Sequence, residues 1–271
     1  MGNTILSKFE NMKLRRKLTI AMGGILLISM GVLILFSTYS FRKSAVKSAM
    51  KMADITAEHY GGHIESKINY TIANVKLLSE LFEEYELFPE ENRREYFTKE
   101  MKKISEKNKD FLSVWVIAEP NAIDNLDSQF AGKDGNTELG RFVAGWYREN
   151  NELKISDGTE EEILSEDYYK LPKEKKVPII MEPYFDSYYD NAPEILMTSI
   201  IFPVIKNGEY KGCVGIDISL EFFKDYLKEV KPFETGSTAV FSNLGNCLYS
   251  EKAEEIGKNI KEISKEIEEK K

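Results

Sequence analysis

Between Leu18 and Phe41 no charged side chain interrupts the chain for 24 positions, and the run LTIAMGGILLISMGVLILFS consists mainly of Leu, Ile, Met, Val and Gly. A helix rises about 1.5 Å per residue, so roughly 20 such residues cross a hydrocarbon layer about 30 Å thick. With no polar face in the run, the pattern predicts a transmembrane helix over 18–41 and not a buried globular one. Lys8, Lys13, Arg15, Arg16 and Lys17 precede it against the single acid Glu10, which places residues 1–17 on the cytoplasmic side. Arg42, Lys43, Lys47 and Lys51 follow it, so the charge bias is modest. A cleaved signal peptide has the same basic start, but its apolar core is shorter, about 7 to 15 residues, and is followed by a small-x-small site. STYSFRK is a poor fit to such a site, and a single-pass anchor in the cell membrane is expected.

Beyond the apolar run the period becomes amphipathic. Ile64, Ile68, Ile72, Val75, Leu78 and Phe82 recur at spacings of three and four, predicting a long helix over 42–88 that Pro89 ends. Gly61-Gly62 weaken it by about 1 kcal/mol each relative to Ala and mark a candidate kink. A second helix is expected over 91–107, on Tyr96, Phe97, Met101 and Ile104. Strands follow at FLSVWVIA (111–118), RFVAGWYR (141–148), ILMTSIIFPVI (195–205) and YKGCVGIDI (210–218), all rich in β-branched and aromatic residues. Asn207-Gly208 between the last two is a strong hairpin signal, so that pair is antiparallel. Ser219 caps a short helix, LEFFKDYLKEV, that ends before Pro232. Two further strands, TAVFS and NCLYS, and a charged helical tail make up 232–271, which with about 40 residues is too short to bury a core of its own. The expected class is α+β: a membrane helix, a long helix, an antiparallel-sheet module over 89–231 and an incomplete second module over 232–271.

Charge narrows the partners. The chain carries a formal net charge of -8, and removing the first 41 residues leaves 32 basic against 44 acidic side chains. Such a surface repels phosphate backbones, so nucleic acid is not an expected partner. The two cysteines, Cys213 and Cys247, are too few and too far apart for a CxxC or cluster site and read as buried thiols. His59 and His63 stand at i, i+4 near Glu58 and Glu65, but two histidines without a third fixed ligand read as helix surface. No HExxH, GxSxG or GxxxxGK[ST] pattern occurs, and no cofactor or metal is implied.

Candidate chemistry concentrates in the strand region. Trp146-Tyr147 supply two large rings for the wall of a small-molecule pocket, although aromatic residues favour strands for packing reasons alone. Asp167-Tyr168-Tyr169, Glu182-Pro183-Tyr184-Phe185-Asp186 and Tyr188-Tyr189-Asp190 interleave tyrosine with carboxylate, a composition able to box a cation. Solvated loop positions are the plainer reading. Asp217 shares a strand face with Cys213 and Gly215, so space lies in front of a carboxylate whose burial is costly without a partner. A ligand ammonium is one such partner; capping of the next helix is the other reading. Glu182 and Asp186 also pose as an acid and base pair for glycoside cleavage, a membrane-anchored hydrolase reading.

Taken together, GWYR, DYYxLP, EPYxD, LMTSIxxPV and GxxGIDISLxFF resemble the double Cache sensor domain of bacterial methyl-accepting chemotaxis receptors and of some sensor kinases and cyclases. The resemblance covers roughly residues 14 to 260. It implies a long helix followed by two stacked PAS-like modules outside the cell, with 232–271 as the start of the second, and a receptor that signals as a homodimer paired through the long helix. A full receptor would add a second membrane helix, a HAMP-type linker and a cytoplasmic coiled coil; none is present here, so a truncated product or an inert remnant also stays open. In amino-acid-binding members the ligand is held by an Arg-x-Trp-Tyr strand, a PYxD strand and a GxD strand, which carries over Trp146, Tyr147, Tyr184, Asp186 and Asp217. The arginine position holds Ala144; the nearest arginines are Arg141 and Arg148, and Arg141 shares a strand face with Tyr147. Arg141 and Tyr168 complete the candidate set. Without the guanidinium clamp for a carboxylate, the expected ligand is a small solute bearing a cationic amino group, an amino acid or an amine.

Overall fold

A computed structural model describes residues 13–150, 152–156, 158–189, 192–228, 230, 233 and 236–269. Lys8 and Glu10 of the basic start, Asp190 and Pro232 lie outside the described residues. The chain forms two compact units, 1–59 and 60–271.

Helix α1, Leu14–Glu83, is 70 residues long. It is the one helix among the described residues that is long and apolar enough to cross a membrane, and large apolar side chains across 18–41 are exposed. No helix break separates 18–41 from the following stretch, and the helix passes through Gly61-Gly62, whose combined cost is small against so many backbone bonds. It stops at Glu83, short of the expected 88, and a single 3-10 turn, Tyr85–Leu87, follows. The cause is Pro89, which disfavours helical geometry in its predecessor: Phe88 is extended, with φ -109 and ψ 145.

In the second unit, helix α2 (Arg93–Lys107) precedes strand β1 (Phe111–Ala118). Strands β2 (Gly145–Glu149) and β3 (Glu152–Ser156) form a hairpin, and two short helices follow, α3 (Glu160–Ser165) and α4 (Asp167–Lys175). Strands β4 (Ile179–Ile180), β5 (Tyr184–Asp186), β6 (Ile195–Lys206) and β7 (Glu209–Ser219) complete an antiparallel seven-stranded sheet in the order β3-β2-β1-β7-β6-β4, with β5 also paired to β6. Asn207 and Gly208 link β6 to β7 at φ 54 and 81, the doubly left-handed turn that suits the twist of two strands. After α5 (Phe222–Leu227) come the two-stranded pair β8 (Ala239–Phe241) and β9 (Cys247–Ser250) and helix α6 (Ile260–Glu269). Helix α5 is shorter than expected; Ser219 Oγ still accepts the Glu221 N–H at 3.1 Å just before it.

Because strand side chains alternate, the sheet has two unlike faces. Val114, Val116, Val214, Ile216, Ile218 and Ile200 point one way and pack against Val75, Leu78 and Phe82 of α1 and Phe97 and Met101 of α2. The opposite face carries Ile117, Cys213 and Ile201, which pack with Val143, Ile163 and Tyr169. Both cysteines are free and buried, and burial pushes the Cys213 thiol up to about 12.

Arg94 of α2 locks the helix layer to the loop after β1. It reaches Asp124 by two bonds of 2.7 and 2.9 Å, bonds Asp127 and Asn136, and donates to the Gly140 carbonyl at 2.6 Å. Asp124 has no solvent exposure. Arg94→Ala would strand that carboxylate, and a loss of about 3–5 kcal/mol is expected, read as a lower urea midpoint. A loss below about 1 kcal/mol would contradict this role.

Candidate functional site

The second sheet face has a gap where its side chains become small or polar. There a cavity of about 170 Å³ opens between the sheet, α3 and α4. It is close in size to an engineered cavity of roughly 150 Å³ that accepts benzene. Asp217 of β7 forms its floor and is 6% exposed. Ser113 on β1 and Ser199 on β6 stand directly opposite Asp217, one on each side.

Three neutral donors converge on this carboxylate. Ser199 donates to Oδ1 at 2.6 Å, the Trp115 indole N–H to Oδ1 at 3.0 Å, and the Tyr188 hydroxyl to Oδ2 at 2.8 Å. Among the described residues no cation pairs with Asp217, and no Lys, Arg or His lines the cavity. Burial holds the Asp217 carboxyl above its ordinary value of 3.8; the three donors pull it down, and the Asp186 charge adds to the rise. A charge-assisted bond to each donor leaves Asp217 hydrogen-bonded but electrically uncompensated.

Aromatic rings make the walls. Trp115 lies between Gly145 of β2 and Gly215 of β7, its cross-strand partners, and Tyr168 of α4 meets it edge-on at 5.7 Å. The Tyr184 hydroxyl is 2.7 Å from Ser199 Oγ, and Tyr188 stacks on Tyr147 at 5.6 Å with 13° between the rings. Burial raises the hydroxyls of Tyr168, Tyr184 and Tyr188, keeping them protonated, and the charge of Asp217 acts in the same direction. Asp186 of β5 also lines the cavity, with its Oδ1 accepting the Ser187 N–H at 2.8 Å. The arrangement is an anionic seat in an aromatic box, suited to a small cation.

Residues 97–225 match the family model described as the methyl-accepting chemotaxis protein-like first PDC sensor domain. This region is a Cache-type sensor domain. The chain is 31% identical over 140 residues to methyl-accepting chemotaxis protein TlpQ of Pseudomonas aeruginosa, a match that covers 47% of this chain and 19% of that protein. The chain thus spans only a small part of the curated relative it matches. Among solved structures, the extracellular domain of mmHK1S-Z2, described as a histidine kinase, superposes with a TM-score of 0.68 at 27% identity, over 82% of this chain and 83% of that one. The ligand-binding domain of the Pseudomonas aeruginosa amino acid chemoreceptor PctC, solved in complex with GABA, shares the fold at 15% identity and a TM-score of 0.50, over 77% of this chain and 79% of that one.

Within the Cache domain, the cavity brings together Tyr168, Tyr184, Asp186 and Asp217 of the expected set. Tyr147 stands behind Tyr188 as a stacking support. Trp146 is not in the box. Its indole donates to the Thr98 carbonyl at 2.8 Å, Lys102 lies 4.8 Å from its ring, and it packs with the helix-side core. Adjacent strand residues face opposite sides, so Trp146 and Tyr147 cannot share a wall. Arg141 is displaced too. It is 2% exposed, donates to the Ala118 carbonyl at 2.5 Å, pairs with Glu119 and Glu160 at 3.3 and 3.2 Å, and covers the Tyr169 ring at 4.7 Å. Both acids come from neighbouring segments, so its charge is spent outside the cavity. Glu182 does not line this cavity with Asp186. His63 stacks on Tyr226 at 6.2 Å.

Tyr188, from the tyrosine and carboxylate run 188–190, joins the cavity, and Trp115, Ser113 and Ser199 are contributors outside the expected set. The signal for Trp115 and Ser113 was alternation: both share the cavity face once β1 is known to pair with β7.

The raised Asp217 carboxyl gives a pH dependence with a definite sign. Between 3.8 and its higher native value, the folded protein retains a proton that the unfolded chain has released. Stability of the unliganded protein therefore falls as pH rises through that window. Asp217→Asn removes this penalty, so it should flatten this pH dependence and leave the melting temperature at pH 7 equal or higher. A melting temperature lowered by more than a few degrees would show that the charge is compensated in the native state.

Proposed function

We propose that this Cache domain is an extracytoplasmic receptor for a small amine, anchored by the apolar part of α1 and serving chemotaxis signalling. The observation that carries the reading is Asp217: a buried carboxylate with three neutral donors, no cationic partner among the described residues and open space beside it. A ligand ammonium supplies the missing charge and additional N–H donors at once. An α-amino acid fits less well. Its carboxylate would enter a cavity whose charged lining residues are Asp186 and Asp217, while Arg141 is held by Glu119 and Glu160. Amines therefore stand ahead of amino acids as the ligand class, and pairing of two copies along α1 belongs to the same reading. The likeness to mmHK1S-Z2 supports a second reading of the output, a histidine kinase, with the same sensor chemistry.

Thermal unfolding of the full chain in detergent tests the ligand class. n-Butylamine and 1,4-diaminobutane should stabilise it, by about 2.7 kcal/mol at a hundredfold excess over Kd, whereas butyrate should not. Asp217→Asn should abolish the shift, and Trp146→Phe should leave the affinity within about threefold because that ring lies on the other sheet face. Stabilisation by butyrate but not by either amine would overturn the reading.

A further inference from the structure

We propose that Trp115 is the surface on which the ligand's cationic group rests, and that Gly215 is the specificity-determining position because it seats that ring against the sheet. The proposal rests on the amine reading and names the part of the site that fixes ligand size. Trp115 and Gly215 are register partners on β1 and β7, two residues along β7 from Asp217. A Cβ on Gly215 would lie 2.2, 2.4 and 2.7 Å from Cζ2, Cε2 and Cη2 of the indole, all far inside contact distance. The six-membered ring therefore lies directly over the glycine backbone.

The other neighbours of the ring leave it one direction of escape. On the β2 side, a Cβ on Gly145 would stand 3.1 Å from Trp115 Cβ, so that strand also approaches closely. The indole N–H is tied to Asp217 at 3.0 Å, and the Tyr168 ring lies 5.7 Å from the indole at 62° to it. A side chain at position 215 would lift the ring off the sheet, into the space that a ligand would occupy. Lifting would also strain the bond to Asp217. The absence of one methyl group thus gives the cavity its depth and keeps the indole in the cavity lining beside the carboxylate, where ring and acid act on the same cation.

A double-mutant cycle in the full chain in detergent, with n-butylamine as probe and titration calorimetry as readout, tests the coupling. Gly215→Ala alone should weaken binding about tenfold or more, and Trp115→Phe about fivefold. In the Trp115→Phe background, Gly215→Ala should cost less than about twofold, because the smaller ring leaves room for the methyl group. Independent, additive effects would overturn the proposal. A second arm needs no ligand: in Trp146→Phe protein, Trp115 is the one remaining tryptophan, and Gly215→Ala should shift its emission maximum. An unchanged spectrum would overturn the seating of the ring even if amines bind. If n-butylamine binds none of the proteins, the amine reading fails, and the emission arm still decides whether Gly215 seats Trp115. Should Gly215→Ala fail to fold, recovery of folding by added Trp115→Phe supports the seat, and a double variant that also fails to fold rejects it.

Discussion

An antiparallel sheet that must be oily on one side and hollow on the other governs this molecule. Helices α1 and α2 supply the apolar cover for one face, and that cover contributes the principal buried core. The second face is thereby released from maximal packing. Glycines and serines occur there at positions 113, 145, 199 and 215, next to Asp217, the buried carboxylate of β7. The helix-side core makes it affordable to keep a buried acid that packing alone would not favour.

The two most buried arginines illustrate how charge is partitioned. Arg94 is satisfied by Asp124 and Asp127 on the helix side, and Arg141 by Glu119 and Glu160 at the end of the opposite face. Each sits in a closed network with acids from separate segments, joining elements distant in sequence. Asp217 differs in kind: its partners are a hydroxyl, an indole and a phenol. Networks of the first kind consume their charges internally, whereas the second leaves a net negative charge to be met from outside.

Much of this was legible in the residues. β1, β6 and β7 announce themselves by long β-branched runs, and Asn207-Gly208 dictates the turn between the last two. The face of Asp217 follows from alternation within β7 alone. What alternation cannot supply is the partner strand. Choosing between Trp115 and Trp146 requires the register of β1 against β2 and β7, a non-local property, and the conspicuous GWYR phrase drew attention to the ring that packs against helices. Helices α3 and α4 were obscured for a different reason: 160–175 mixes acids, tyrosines and Pro172 without a sustained apolar period. The role of Arg141 was hidden because its partners, Glu119 and Glu160, carry no local mark of burial.

The β6–β7 turn has a consequence for how the seat comes together during folding. Ser199 and Asp217 are opposite one another across a hairpin closed by two residues, so acid and hydroxyl form a local cassette. Trp115 must arrive from a separation of 102 positions against 18 for Ser199. For flexible chains the logarithmic loop law makes that longer closure about 1.5 kcal/mol harder. Insertions in the intervening loops thus burden the arrival of the aromatic wall while leaving the charged half of the seat intact, so the two halves are free to diverge at different rates.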